Sequence, residues 1–390
     1  MKLFDKSELM KRIHRFQSFL QGKGLESALL TLNSDLFYFT GSVQKGMLFI
    51  PSHGEPIYFV RKNFERAVLE SQIEVRPYNT EIIAELLKSC QNTSLPMDVT
   101  TLSEMEFFRK KLFHSSLEIK DCSLFLGMTK MIKSESELEF IKKAAQINEK
   151  IMDKIPELYK KGMKDIDMQA EIEYFAKKEL GHHGHFWLRG YNMEGGICLV
   201  VTGLDALAPT YTDFPIGGTS LSPSIAQGAS GAVIEKSFVV DFIGAYHGYT
   251  ADSTRTFFVG KPDDKIAKIY NELSEIHHKI AAFSKPGMSG EEIWNYTLSQ
   301  VSEMSWKDYF MGLNQKVSFV AHGIGTEVNQ LPVFAPKQNI PLQNLMVIAI
   351  EPKVFVPDYG IIGLEDTYIM KDGVLESITG FESLEKSIIK

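Results

Sequence analysis

Apolar residues in the first 125 positions change their spacing at short intervals, from helical to strand-like and back. A helical pattern that ends near Gly22-Lys23-Gly24 leads into an apolar run over 27–32, which predicts a buried strand. Two β-prone segments, 47–50 and 56–60, flank a polar turn and predict a hairpin. Further helical patterns complete a compact α/β unit, at 63–71, 80–89 and 102–112.

A second pattern begins near Ser134, where a long helix with a regular apolar face is predicted. Ser134 is a suitable N-cap, and acidic residues follow it in the first turn. Beyond the helical region the chain is rich in β-prone segments that pair as hairpins rather than as parallel crossovers. Helices are predicted at about 138–158, 166–180, 262–283 and 289–304. We therefore predict an α/β N-terminal domain over residues 1–128 and a mixed α+β domain over residues 129–390.

The segment 237–260 has two β-prone arms around a glycine-bearing turn, which predicts a hairpin. If Tyr246 and His247 form the centre of this turn, Asp241 lies directly opposite Asp252. Directly opposed residues bring their Cβ atoms to about 4.5–5.5 Å of each other. At the tip of such a hairpin, His247 is expected to be exposed.

The segment 345–370 repeats this arrangement around a turn at 357–360. Folding the segment about Asp358 places Glu351 opposite Glu365. Like charges that are directly opposed destabilise a ladder, and unpaired buried carboxylates cost far more. A bound cation is the natural remedy, so the two carboxylate pairs predict a metal site.

His322, in the run Ala321-His322-Gly323-Ile324-Gly325, adds an imidazole to this oxygen-rich donor set. Four ionised carboxylates carry a charge of −4, which two divalent ions per chain would neutralise. Oxygen ligands with one nitrogen suit Mn²⁺, Co²⁺, Fe²⁺ or Zn²⁺ better than Ca²⁺. Two such ions can share a water, lower its pKa and polarise a scissile carbonyl.

Composition narrows the choice of partner and compartment. At 390 residues and 44% apolar content, the chain is long enough for two packed cores. A net charge of −7 argues against a nucleic-acid or membrane surface, so a small molecule or a peptide is expected. The three cysteines are far apart and neither a signal peptide nor a membrane span is evident, so we expect a cytoplasmic protein.

These residues together resemble the metal-binding signature of the pita-bread metallopeptidases, which include methionine aminopeptidase, prolidase, Xaa-Pro aminopeptidase and the non-peptidase creatinase. The string Asp252-Ser253-Thr254-Arg255 also resembles the Asp-x-Thr-Arg stretch of that family. Tyr38-Phe39-Thr40-Gly41 resembles the N-terminal domain of the prolidase and creatinase branch. The five positions that match the metal ligands, in the same order, are Asp241, Asp252, His322, Glu351 and Glu365.

The resemblance implies a creatinase-type N-terminal domain followed by a pita-bread catalytic domain that hydrolyses a short-peptide amide bond. The implied activity is that of an Xaa-Pro aminopeptidase or dipeptidase. The resemblance also implies two catalytic residues: Glu351, which is both a metal ligand and the proton shuttle, and His322. Thr254 is expected to orient a ligand carboxylate from outside the ligand set. Homodimers are common in the family, and we expect one here.

The sequence departs from the family pattern at three places. Asn329 stands where the family often has a histidine that contacts the substrate, and an amide can donate a hydrogen bond but cannot take a proton. Gly363 stands where an arginine is common, two residues before the last ligand. The stretch 221–225 lacks the proline-flanked histidine often found ahead of the first aspartate. These losses leave the metal ligands intact and concern the substrate contacts.

Asn329, Arg189 and His185 are the predicted substrate contacts. Arg189 could supply the missing guanidinium, with a surface salt bridge as the alternative. The stretch 182–185 contains three histidines, and the alternative to a substrate role for them is a solvated loop. His277 and His278 lie in a charged helical segment and are expected at the surface.

Two other functions stay open. One is a weakened family member that binds metal or a peptide without efficient turnover, which the missing histidines favour and the full ligand set opposes. The other is a creatinase-like hydrolase of a non-peptide C–N bond. That branch works without metal and has typically lost the ligands that are kept here.

Overall fold

The computed structural model describes residues 2–182, 184, 186–189, 193–212, 214–224, 226–380 and 383–390. The chain forms two compact units, of which unit 1 comprises residues 1–130 and 189–193. Unit 2 comprises residues 131–188 and 194–390. The domain boundary after residue 128 stays a prediction, since compactness alone does not show which segment folds independently.

Unit 1 is built on one mixed sheet. Its elements along the chain are α1 (Lys6–Gly22), β1 (Ser27–Leu30), α2 (Asn33–Thr40), β2 (Gly46–Pro51), β3 (Ile57–Val60), α3 (Phe64–Glu70), β4 (Glu74–Pro77), α4 (Thr80–Lys88), β5 (Asn92–Leu95), α5 (Leu102–Lys111), β6 (Glu118–Asp121) and α6 (Ser123–Met131). The strands lie in the order β4-β3-β2-β1-β5-β6. β2 and β3 pair antiparallel with Met47 opposite Phe59, which confirms the predicted hairpin. Apolar side chains of the sheet, including Phe49, pack against Ile83 of α4 and Phe108 of α5 to form the core.

Unit 2 combines helices with hairpin-rich sheets, in agreement with the predicted α+β class. Its elements are α7 (Glu135–Leu158), α8 (Asp165–Glu179), β7 (Phe186–Leu188), β8 (Met193–Gly195), β9 (Cys198–Thr202), β10 (Ser237–Tyr246), β11 (Tyr249–Val259), α9 (Asp264–Phe283), α10 (Gly290–Ser302), β12 (Ala321–Ile324), β13 (Val328–Phe334), β14 (Val347–Ile350), β15 (Lys353–Val356), β16 (Gly360–Gly363), β17 (Asp366–Lys371), β18 (Val374–Ser377) and β19 (Ile388–Ile389). The sheet orders are β19-β11-β10-β9, β18-β17-β14-β12-β13-β7-β8 and β15-β16. Of the helices in the described ranges, none has both the length and the apolar content of a membrane span.

Helix α7 packs directly on the long β10–β11 hairpin. The helix begins at the predicted cap, where Ser134 Oγ accepts from Glu137 N at 3.3 Å and Glu137 Oε2 accepts from Ser134 N at 3.0 Å. Asn148 of α7 is buried and donates to the Ala251 carbonyl at 3.0 Å. A Cβ at Gly244 would lie only 2.2 Å from Asn148 Oδ1, so the close approach of helix and hairpin requires glycine there.

The turn of this hairpin lies one residue later than predicted. Tyr246 pairs with Tyr249, so the turn is formed by His247 and Gly248. Both turn residues have positive φ, 48° and 82°, as a type I′ turn requires, and glycine adopts such values without steric cost. His247 is exposed, as expected.

The predicted pairing of Asp241 with Asp252 is therefore wrong. Asp241 pairs with Thr254, and Asp252 pairs with Ile243. Moving the turn by one residue shifts the pairing by two, and side chains alternate with a period of two along a strand. Asp241 and Asp252 consequently still project from the same face of the hairpin, in diagonal positions.

Gly244→Ala is expected to destabilise the protein, because the added methyl group would collide with α7. Overpacking of this kind typically lowers the free energy of unfolding by about 1–3 kcal/mol. Gly196→Ala is the matched control, since Gly196 is exposed and an added Cβ there has no neighbour within 4 Å. Urea denaturation should show a clear loss for Gly244→Ala and little change for the control. Equal losses would contradict the close packing of the helix on the hairpin.

Candidate metal centre

Asp241 and Asp252 enter the centre from the β10–β11 hairpin, and Thr254 links it to another segment. Thr254 Oγ1 lies 3.1 Å from Asp241 Oδ1 and 2.7 Å from Glu365 Oε2. A hydroxyl carries one proton, so it donates to one of these carboxylates at a time. Thr254 thus contacts two of the predicted ligands, as a residue that orients a ligand carboxylate would.

Glu351 and Glu365 lie where one antiparallel ladder ends and another begins. β14 pairs with β17, and β15 with β16, in the register that was predicted from the turn at Asp358. The two glutamates occupy the short gap between these ladders, opposite each other. His322 reaches the same gap from the neighbouring strand β12, where it pairs with Ala349 of β14.

These side chains converge in the interior of unit 2. His322 Nε2 lies 3.3 Å from Glu351 Oε1 and 3.7 Å from Glu365 Oε1. Asp252, His322 and Glu365 each present one ligand atom, and these atoms lie within 4.8 Å of one another. Within the described part of the chain, Asp252 Oδ1, Glu351 Oε1 and Glu365 Oε1 are buried without a hydrogen-bond partner. Buried oxygens of this kind are costly when left alone, and with an imidazole they form a donor set that fits a divalent transition-metal ion.

Lys353 also belongs to the cluster, although no sequence motif identified it. Its side chain is fully buried, and Nζ lies 2.5 Å from Glu351 Oε2 and 3.4 Å from Glu365 Oε2. The aliphatic part of the side chain crosses Gly363, its partner in the β15–β16 ladder. A signal was present in the sequence, because a lysine two residues after Glu351 in an extended segment lies on the same face.

Burial and mutual repulsion control the protonation of these groups. Burial, reinforced by Glu365, raises the pKa of Asp241 to about 7, and the same two causes raise the pKa of Asp252 well above its ordinary value. Burial also acts on Glu365, but the Lys353 ammonium and His322 outweigh it and lower the pKa of Glu365 to about 2. Burial alone would lower the pKa of His322, yet the two glutamates raise it well above its ordinary value. The cluster as a whole attracts positive charge.

Arg255 fixes the segment that carries Glu365. Its guanidinium is buried, donates to the backbone oxygen of Glu365 at 2.5 Å and to that of Thr379 at 2.7 Å, and pairs with the Asp366 carboxylate. Arg255 follows Thr254 in the chain, so consecutive residues of β11 hold the backbone and the side chain of Glu365. The position of this carboxylate is therefore determined by two separate hydrogen-bonding groups.

His277, which was expected at the surface, and His182, for which a solvated loop was the alternative, are both buried. His277 Nε2 lies 3.0 Å from the Ile350 carbonyl, and burial lowers the pKa of this imidazole to about 3, so it donates as a neutral ring. The surface prediction for His277 is wrong because the residue lies on the face of α9 that packs inward, whereas its neighbour His278 is exposed. His182 is also buried and accepts from Ala245 N at 2.9 Å, so it is not part of a solvated loop.

The predicted substrate contacts lie in different surroundings. Asn329 in β13 has φ 65°, which asparagine tolerates, and its Oδ1 is buried with no partner in the described ranges. Arg189 pairs with Asp35 at 2.9 Å and with Asp98 at 2.6 Å within unit 1, which favours the salt-bridge alternative. His185 lies outside the described residues. A substrate role for these three residues stays a prediction.

A cavity of about 560 Å³ opens beside β15. Its wall includes Phe355, which follows Lys353 by two residues in the strand, together with Tyr211, Phe214 and Met311. The wall also carries polar groups, such as Thr210, Asn314 and Lys316, and none of its lining residues is one of the five predicted metal ligands. Its volume lies in the range of about 300–1,000 Å³ that is typical of small-molecule sites. The dimensions suit a short peptide.

Comparison with protein families gives a match over almost the whole chain. Residues 139–372 match Metallopeptidase family M24, and residues 12–131 match the Creatinase/Prolidase N-terminal domain. The Xaa-Pro dipeptidase of Pyrococcus furiosus is 23% identical over 377 residues, which cover 96% of this chain and 99% of the relative.

Two solved structures have the same fold. The prolidase from Pyrococcus horikoshii OT3 superposes with a TM-score of 0.80 at 23% identity, covering 96% of this chain and 99% of that one. The N-terminal domain of the FACT complex subunit SPT16 from chickpea, Cicer arietinum, superposes with a TM-score of 0.76 at 13% identity, covering 99% and 100%. These matches confirm the predicted fold class and the predicted resemblance.

Arg255→Met should leave the buried Asp366 carboxylate without its guanidinium. Removing one partner of such a pair typically lowers the free energy of unfolding by about 3–5 kcal/mol. The double variant Arg255→Met/Asp366→Asn should recover part of this loss, because the uncompensated charge is gone. Lys143→Met is the control, since it breaks a largely exposed 2.9 Å pair with Glu139, and exposed ion pairs contribute little to stability. Denaturant unfolding of the four proteins gives the comparison, and a double variant no more stable than Arg255→Met would contradict the predicted recovery.

Proposed function

The chain belongs to metallopeptidase family M24, and we propose that it hydrolyses the amide bond of a short Xaa-Pro peptide in a metal-dependent reaction. The observation that supports this proposal is a set of three buried oxygens, from Asp252, Glu351 and Glu365, that have no hydrogen-bond partner among the described residues and lie around the His322 imidazole. Such a set favours a bound Mn²⁺, Co²⁺, Fe²⁺ or Zn²⁺ ion. The Xaa-Pro preference is carried over from dipeptidase relatives that are 23% and 24% identical.

In this proposal Asp252, His322, Glu351 and Glu365 hold the metal, with Asp241 as the fifth ligand of the predicted set. A divalent ion held there would supply an activated water and would polarise the scissile carbonyl. Glu351 serves as proton shuttle, since a carboxylate can accept a proton from the water and pass it to the leaving amine.

The substrate contacts of the proposal rest on two observations. The cavity beside Phe355 has room for a short peptide. The side-chain oxygen of Asn329, which is buried without a hydrogen-bond partner in the described ranges, can accept a hydrogen bond from a substrate at the position of the family's imidazole. Two divalent ions per chain, of Mn²⁺, Co²⁺, Fe²⁺ or Zn²⁺, a homodimer and the cytoplasm remain predictions that go with this function.

One observation favours a second candidate, a family member that binds metal or a peptide with little turnover. The Lys353 ammonium lies 2.5 Å from Glu351 Oε2 and holds the carboxylate that should shuttle the proton. A shuttle in that position has to exchange protons while it is paired with a fixed positive charge. The creatinase-like alternative gains no such support, because all five ligand positions are kept.

Purified protein loaded with Mn²⁺ or Co²⁺ is expected to release proline from Xaa-Pro dipeptides, and a chelator should abolish this activity. Asp252→Asn keeps the shape of the side chain but removes its charge, so bound metal and turnover should fall together. The fall in turnover should exceed the 10–100-fold effect that is typical of losing an outer partner of a ligand. Glu376→Gln, an exposed carboxylate on β18, is the matched control and should change neither.

The choice of substrates separates the alternatives. Cleavage of Xaa-Pro tripeptides but not dipeptides would make the protein an aminopeptidase rather than a dipeptidase. Metal binding without turnover of either class would favour the second candidate. Elemental analysis that finds no bound metal after loading would contradict the proposed function.

A further inference from the structure

The two glutamates of the centre divide their oxygens between two neighbours. Glu351 Oε1 and Glu365 Oε1 face His322 Nε2, at 3.3 and 3.7 Å, and have no hydrogen-bond partner among the described residues. Glu351 Oε2 and Glu365 Oε2 face Lys353 Nζ, at 2.5 and 3.4 Å. Two carboxylates that point their oxygens in this way can serve two cations side by side. In this chain, one cation position is already taken by an ammonium group of the protein itself.

We propose that Lys353 replaces one of two divalent ions, so that the centre binds a single ion on the side of His322. The ion would be held by Asp252, His322, Glu365 and the free oxygen of Glu351. The inference rests on the proposed function for the existence of a metal site, and it lowers the predicted count from two ions to one.

Asp252 and Asp241 belong to different sides of the divided centre. Asp252 presents its ligand atom within 4.8 Å of those of His322 and Glu365. Asp241 is linked through the Thr254 hydroxyl to Glu365 Oε2, the oxygen that faces Lys353. Asp241 and Lys353 therefore lie on the same side of the centre, where the Asp241 carboxylate partly neutralises the charge of the Lys353 ammonium.

Lys353 has little room to leave this position. Its side chain is fully buried, and its backbone oxygen accepts from Met311 N at 3.0 Å. The aliphatic chain runs over Gly363, where a Cβ would lie 3.0 Å from Lys353 Cγ and 3.3 Å from Cδ. A second ion that displaced the ammonium would leave a buried positive charge without its two carboxylate partners, which is unfavourable.

The charge of the centre is compatible with a single ion. Four ionised carboxylates carry −4, and the Lys353 ammonium reduces this to −3. One divalent ion leaves −1, whereas two would give a buried site of +1 before a bound water loses a proton. The charge of the centre therefore permits a single ion, and the choice between one and two ions rests on the position of Lys353.

The number of bound ions tests the inference directly. The native protein, Lys353→Ala and Lys353→Met are purified in Mn²⁺, and free metal is removed before elemental analysis. Lys371→Met is the control, because Lys371 is an exposed lysine of β17 in the same unit. We expect one ion per chain in the native protein and in the control, and two in Lys353→Ala, which vacates the position. Electron paramagnetic resonance should show an isolated Mn²⁺ in the native protein and a spin-coupled pair in Lys353→Ala.

Each outcome has a distinct meaning. Two ions in the native protein at saturating Mn²⁺ would overturn the inference but leave the proposed function in place, and this measurement does not depend on whether any variant folds. One ion in both the native protein and a folded Lys353→Ala would also overturn it, since the lysine would not be the reason for the missing ion. No ion in the native protein would overturn the inference and the proposed function together. Lys353→Met removes the positive charge but fills the same space. One ion in Lys353→Met, together with two in Lys353→Ala, would therefore support the inference that the lysine side chain occupies the position of the second ion.

Discussion

Repulsion between buried carboxylates is the constraint on which the catalytic half of this chain depends. Two strands of one hairpin and the gap between two ladders each contribute a pair of carboxylates to the same apolar interior. Without positive charge this arrangement would be strongly unfavourable. Three neighbouring residues reduce this repulsion or hold the carboxylates in place. Lys353 supplies a fixed positive charge, Thr254 donates a hydrogen bond, and Arg255 holds the backbone of Glu365. A metal ion completes the balance in the proposed function.

Much of this arrangement could be predicted from the sequence because strand geometry has a short period. The register of the second hairpin followed from the position of its turn, and the structure has the same pairing. In the first hairpin the predicted turn was one residue too early, because the need for positive φ at both turn residues was not used to place Gly248. The side chains nevertheless project from the predicted face, since the error changed the pairing by an even number of residues. Which residues share a face is thus easier to predict than which residues are paired.

Contacts that depend on tertiary packing could not be predicted in this way. The charged neighbours of His277 suggested an exposed helix face, but the face of α9 that packs inward is decided by the sheet beneath it. Lys353 was overlooked because a lysine in an apolar strand belongs to no metal-ligand pattern, and its role depends on the carboxylates that surround it. The substrate contacts are the least predictable part, since the residues that differ from the family pattern lie in loops and at strand ends. Relatives at about a quarter identity support the fold of the chain but leave these contacts to experiment.

The pairing of Lys353 with Gly363 restricts the evolutionary paths open to this protein. The lysine side chain fills the channel above the glycine, so a long side chain at position 363 and the lysine at position 353 exclude each other. An ancestor with arginine at 363 could not have acquired this lysine in its buried position by one substitution without passing through a crowded intermediate. Residue 363 therefore had to become glycine before the lysine appeared or at the same time. On the reverse path, the lysine had to be lost before a long side chain returned at position 363. The two positions are consequently expected to change as a pair among related sequences, although they lie ten residues apart along the chain.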